Sequence, residues 1–376
     1  MKNEKTSEIF YGENMMKTKY LLFVFAAVLP LTLFSAPHDL NEEEKLAAHL
    51  NAQYVAPKLS VDGSWSMVIV PDVQGYNYFA RNQGLLQLMI DWIVDNRELL
   101  KIQQVLFTGD LVYQNNTGSI NIKKNLVCRE QWKSFSRVME RIDGELPYIL
   151  CTGNHDYGIR GSENTNTHFN EYFPSDRNPL TRRQLVECAP NRKGVPTLEN
   201  AIYQFTAPHP DNRKFLVISL QNNPADKTIK WAKSIVDKPE FANHFCILLT
   251  HNYLTASGER SKIGETIYQQ LVFPVKNIRL VVCGHICKPF DWDSCVAFSK
   301  DKNSSGKTVA QMVFNTQDIE GGWGNGGNGW LRLLEFMPDK KTVKARTFSP
   351  FFAISRMTRY LAWRKDGKNE FSFELE

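Results

Sequence analysis

From Ser66 onward, short apolar runs alternate with amphipathic stretches. "SMVIV" (66–70), "QQVLF" (103–107) and "PYILC" (147–151) read as strands. Between them, "GLLQLMIDWIVDN" (84–96) places Leu85, Leu88, Met89, Trp92 and Ile93 on one helical face, and "REQWKSFSRVMERID" (129–143) is a second amphipathic helix. This βαβαβ order predicts a parallel sheet with ligands at the carboxyl ends of its strands. Residues 157–200 are polar and rich in Asn, Arg and Thr, and read as a long loop of the kind that often carries function. Strand patterns return in "NAIYQFT" (200–206), "KFLVISL" (214–220), "FCILLT" (245–250) and "VVC" (281–283), with a helix over 228–238. From Phe290 the chain is mostly β-like. "GGWGNGGNGW" (321–330) lacks the GK[ST] of a phosphate-binding P-loop and is either a hairpin connection or a substrate-facing loop.

The chain has 376 residues, 42% hydrophobic and 23% charged, enough for one large domain or two moderate ones. Its net charge of +5 is spread along the sequence, so no nucleic-acid partner is predicted. Lys17 and Lys19 precede the apolar run 20–36, which ends in small residues. That layout predicts a secretory signal, cleaved near Ser35 or Ala36, and an exported protein, periplasmic or secreted. On this reading no stable membrane span remains after cleavage, the alternative being an uncleaved anchor. Residues 37–64 form an entry segment, and 65–376 the domain: a ligand-bearing half (65–290), then a mainly β part (291–376) completing a second sheet. There are 7 cysteines. Cys151, Cys246 and Cys283 lie in apolar strand-like runs and read as inert core thiols, whereas Cys128, Cys188, Cys287 and Cys295 lie in polar segments and can pair.

The residues just beyond each buried strand carry the chemistry. After the first come Asp72 and Gln74, after the second Asp110, after the third Asn154, His155 and Asp156. "FCILLT" runs into His251 and "VVC" into Gly284 and His285. These are the oxygen and imidazole donors that bind divalent metals. Each is weak evidence alone, since Gly-Asp after a strand is usually a turn. Parallel strands bring such residues together from distant positions.

In this order, "PDVQ", "TGDLV", "TGNHD", "LLTHNYL" and "VVCGHIC" resemble the calcineurin-like metallophosphoesterase superfamily, and within it the exported members with Asp-x-Gln in the first motif. The resemblance covers roughly residues 66–290. It implies an α/β class fold, a two-sheet α/β/β/α sandwich, and two divalent metal ions (Mn, Fe or Zn). Asp110 would bridge them, Asp72 and Gln74 would bind the first, and Asn154, His251 and His285 the second. His155 would face the scissile phosphate, with Asp156 orienting it. A metal-bound hydroxide would hydrolyse a phosphomonoester or phosphodiester. The alternative is a degenerate protein that binds metal or a phosphorylated ligand without turnover.

The family pattern has histidine where this chain has Gln74 and Cys287. Cys287 has three readings: a thiolate ligand, a small neutral neighbour of the site, or a disulfide partner of Cys295. The neutral neighbour is the favoured one, with a weakly held first metal.

Overall fold

The computed structural model describes residues 41–115, 126–191, 193–319, 321 and 324–375. The apolar run 20–36 lies outside them. The entry segment begins with helix α1 (Glu42–Ala52), whose N-terminus is closed by reciprocal bonds between Asn41 and Glu44.

In chain order the strands are β1 (Trp65–Val70), β2 (Ile102–Phe107), β3 (Tyr148–Leu150), β4 (Leu185–Pro190), β5 (Pro196–Thr206), β6 (Lys214–Leu220), β7 (Phe245–Thr250), β8 (Ile278–Cys283), β9 (Val296–Lys302), β10 (Thr308–Phe314), β11 (Leu331–Phe336), β12 (Thr342–Phe348), β13 (Trp363–Arg364) and β14 (Glu370–Glu374). They form two sheets. The first has the order β13-β12-β11-β1-β2-β3, with β14 also paired to β12; the second has the order β4-β5-β6-β7-β8-β10-β9. The pairs β1·β2 and β2·β3 are parallel, as are β6·β7, β7·β8 and β8·β10.

The expected two-sheet sandwich is present: β1, β2 and β3 form the parallel part of one sheet, and the later parallel strands lie in the other. One expectation is corrected here. The C-terminal part does not go wholly to the second sheet: β9 and β10 extend it, whereas β11–β14 return to the first. The reason is the exposed flank of β1. β11 covers it antiparallel, with Val68 opposite Leu333. That pairing satisfies backbone groups which would otherwise form an edge.

Alternation along β1 builds three layers of core. Met67 and Ile69 point between the sheets, against Tyr203, Phe215, Val217, Ile247 and Met312. Val68 and Val70 point outward, under α3 (Gln83–Asp95) and α4 (Cys128–Met139), which follow the short helix α2 (Gln74–Tyr78). The second sheet turns Ile218, Leu248 and Val281 to its own outer layer, against Ile229 and Ala232 of the helix Asp226–Val236. Strands buried on both faces read as continuous apolar runs.

The α3 face is rotated from the expected one. Leu86, Met89, Ile90, Ile93 and Val94 are buried, while Leu85, Leu88 and Trp92 are only partly covered. Trp92 leans instead onto Phe348 of β12, 4.9 Å between ring centroids. The segment 157–200 is also less irregular than expected: it holds the short helices Phe169–Tyr172 and Pro179–Gln184, then β4 and the start of β5. β4 is an outer strand with mostly half-exposed residues, so it lacks an apolar signature.

Candidate metal centre

The parallel strands of both sheets end at the same rim of the sandwich. β1 leads to Asp72 and to the five-residue helix Gln74–Tyr78, β2 to Thr108–Gly109–Asp110, and β3 to Asn154–His155–Asp156. β7 and β8 arrive from the other sheet with His251 and His285. Asp110 (φ 48°) and His285 (φ 74°) both have left-handed backbone, uncommon for residues with a side chain and frequent where a fold over-determines a functional turn. The close approach of the loops depends on two glycines. A Cβ on Gly153 would lie 2.1 Å from Asp110 Oδ1, and one on Gly284 2.2 Å from Asp72 Oδ1.

The ligand atoms of Asp110, His251 and His285 lie within 4.8 Å of one another. His251, fully buried, is the hub. Its Nε2 is 3.0 Å from Asn154 Oδ1, 3.1 Å from His285 Nδ1 and 3.3 Å from Asp110 Oδ2. Its Nδ1 is 2.9 Å from the Thr108 carbonyl, a contact that places the proton on Nδ1 and directs Nε2 at the centre. Gln74 Nε2 donates to Asp110 Oδ2 at 3.0 Å. Asp72 Oδ2 accepts the His285 backbone N–H at 3.0 Å. All six expected metal-ligand residues, Asp72, Gln74, Asp110, Asn154, His251 and His285, therefore meet in one connected cluster.

The electrostatics are those of crowded donors. Burial pushes Asp72 up to about 7, with the Asp110 charge adding to it and His251 opposing. Burial pushes Asp110 the same way, but the His251 and His155 charges outweigh it and hold it well below the usual carboxylate range. Burial would lower His251, yet Asp110 and Asp72 raise it to about 10. His285 is lowered to about 4 by burial and by His251. The buried Gln74 Oε1 has no hydrogen-bond partner. Two buried carboxylates, two imidazoles and an orphaned amide oxygen fit divalent cations.

His155 stands beside this cluster. Its backbone N–H donates to Asp110 Oδ1 at 2.9 Å, and its ring stacks on Tyr113 at 5.0 Å and 16°. Asp156 does not orient it. The Asp156 carboxylate, fully buried, accepts the Val112 N–H at 3.0 Å and the Gly153 N–H at 2.7 Å, tying the β2 loop to the β3 loop. The orienting contact on His155 is the Tyr113 carbonyl, 2.9 Å from Nδ1.

The favoured reading of Cys287 is also corrected: it is neither a ligand nor a free neutral neighbour, but is disulfide-bonded to Cys295. The turn Trp292–Ser294 folds the segment after β8 back on itself and brings the two Cα atoms to 4.3 Å. Cys128 and Cys188, expected among the pairable cysteines, are free thiols, the first buried and the second partly exposed, and Cys151, Cys246 and Cys283 are buried free thiols.

Two contributors escaped the sequence reading. Thr108 Oγ1 donates to Asp72 Oδ1 at 2.8 Å, and Asn315, after β10, donates from Nδ2 to Asp72 Oδ2 at 2.7 Å. A Thr or Asn after a strand carries no metal-ligand signature. The available signal was position, since β10 is another parallel strand ending at the same rim.

The molecule is thus a two-sheet α/β sandwich with a cluster of oxygen and imidazole donors at the carboxyl ends of its parallel strands. The family model described as calcineurin-like phosphoesterase matches residues 67–289, more than half of the sequence, and the chain belongs to that family. It is 28% identical over 319 residues to the uncharacterized protein YvnB of Bacillus subtilis (strain 168), covering 83% of this chain and 22% of that protein. The chain thus spans under a quarter of the length of the curated relative it matches. Two solved structures are similar at 11% identity. One, titled "GAP50 the anchor in the inner membrane complex of Plasmodium", has a TM-score of 0.45 and covers 84% of this chain and 89% of its own. The other, titled "Structure of PhoD", has a TM-score of 0.41 and covers 84% and 74%. Among the described residues, no helix is long and apolar enough to cross a membrane.

Proposed function

We propose that the protein is an exported, metal-dependent phosphoesterase that hydrolyses a phosphomonoester or a phosphodiester. The observation that carries this is the meeting of Asp110, His251 and His285 from two sheets, with Asp72, Gln74 and Asn154 bonded to or beside them. Asp72 and Gln74 would hold a first cation, and Asn154, His251 and His285 a second, with Asp110 between. Cations bound there would neutralise phosphoryl oxygens and lower the pKa of a bound water. The chain supplies the rest. The rigid strand ends fix the donors, so little reorganisation is needed as charge develops. His155, held at Nδ1 by the Tyr113 carbonyl, keeps Nε2 for the phosphoryl or leaving oxygen, where it stabilises charge or delivers a proton. Export is supported by the apolar run 20–36 and by the Cys287–Cys295 disulfide, which persists in oxidising compartments.

The test is hydrolysis of p-nitrophenyl phosphate and bis(p-nitrophenyl) phosphate after chelation and reloading with manganese, zinc or iron. Turnover restored by metal is expected. His155→Ala should lower kcat by about 10²–10⁴-fold at unchanged metal content. A metal-loaded wild type inert toward both esters would instead favour a binding protein without turnover. The disulfide at Cys287, which removes a thiolate donor from the first position, is the observation that favours this second reading.

A further inference from the structure

Asn315 lies in the second sheet's contribution to the rim, 243 residues from Asp72 in sequence, and is fully buried. Its amide is fixed at both ends. Nδ2 donates to Asp72 Oδ2 at 2.7 Å, and Oδ1 accepts the Gln317 N–H at 3.1 Å. Asp72 Oδ2 also accepts the His285 N–H at 3.0 Å, and Oδ1 accepts the Thr108 hydroxyl at 2.8 Å. An ionised carboxylate has about four acceptor positions. Three are taken here by groups of the protein, which leaves one.

We propose that Asn315 is a positioning residue for Asp72: with Thr108 and the His285 N–H, it locks the carboxylate so that Asp72 can offer only one lone pair, as a one-oxygen ligand of the first metal. The proposal rests on the phosphoesterase reading of the site and deepens it. Cys287, bound in its disulfide, contributes nothing to that metal. Gln74 is a neutral donor. The affinity of the first position therefore depends on how firmly Asp72 is held. A donor outside the ligand set acts on affinity by fixing the ligand's direction.

The experiment is titration of metal-free protein with manganese chloride, followed by calorimetry and by the manganese electron paramagnetic resonance signal. Wild type should take up two ions, one more tightly than the other. Asn315→Ala should keep the tighter event and weaken the other by about 10–100-fold. Asn315→Asp should weaken it at least as far, because two carboxylates would then face each other. Asn315→Ser, which retains a donor, should fall between wild type and the alanine variant. It carries the test if the alanine variant does not fold, as judged by melting of the metal-free proteins. Wild-type uptake by the alanine variant would overturn the proposal. So would equal or tighter uptake by the aspartate variant, which would make position 315 a ligand in its own right. Failure of the wild type to bind any manganese would overturn the phosphoesterase reading itself, and is seen before any variant is made.

Discussion

His244 shows what burial does to a titratable side chain away from the rim. It is 4% exposed, neither ring nitrogen has a partner, and its ring meets Phe241 edge-on at 5.2 Å. Burial, with the Lys214 charge adding to it, holds its pKa below the ordinary 6.5. A histidine depressed in the folded state favours folding above its unfolded pKa, and that contribution is lost as pH falls through the folded value. Melting temperatures measured from pH 8 down to pH 5 should drop less steeply for His244→Leu than for wild type. Parallel curves would contradict this. At the same scale, most candidate ligands were legible in the sequence because each comes directly after a buried run. The role of Asp156 was not, because adjacency to His155 says nothing about which way a side chain turns. Its two backbone partners, Val112 and Gly153, are set by tertiary approach.

At the scale of elements, the site is a set of tight strand-to-loop turns packed against each other. Gly153 shows how tightly: a Cβ there would sit 2.1 Å from Asp110 Oδ1 and 2.3 Å from Asp110 N. The backbone atom cannot swing aside as a side chain could. Gly153→Ala should lower metal affinity at least about tenfold and stability by about 1–3 kcal/mol, read by metal titration and by chemical unfolding. A variant with wild-type metal uptake would show that the two loops are free to separate. The strands and long helices were legible from hydrophobic periodicity, as in "KFLVISL" and "FCILLT", whose limits match β6 and β7. The α3 face was misjudged by about one position because its outer neighbours, Phe348 among them, come from the far end of the chain. β4 was missed because a half-exposed outer strand needs few apolar residues. The disulfide was legible only as one option, since pairing depends on the turn that folds Cys295 back.

For the molecule as a whole, the arrangement depends on two sheets held in register. Trp65 of β1 stacks on Phe336 of its own sheet at 4.3 Å and meets Phe215 of the other sheet edge-on at 5.2 Å. Its Nε1 donates at 2.8 Å to Asp211, which lies between β5 and β6 and is paired with Arg213. Trp65→Ala removes a fully buried side chain and leaves Asp211 one donor short. A loss of about 3–5 kcal/mol in equilibrium unfolding is expected. A loss under about 1 kcal/mol would mean that the sheets are held elsewhere. That the parallel strands divide between two sheets could not be read from the alternation of strands and helices alone. The return of β11 to the flank of β1 is a long-range pairing, and local pattern carries no record of it.

We propose that strand ends from both sheets hold two cations around Asp110. Crystals grown with manganese and measured near its absorption edge test it most directly. The account predicts two anomalous peaks with Asp110 between them, one beside Asp72 and Gln74, the other beside Asn154, His251 and His285. No peak at this rim, or peaks only elsewhere on the molecule, would contradict it.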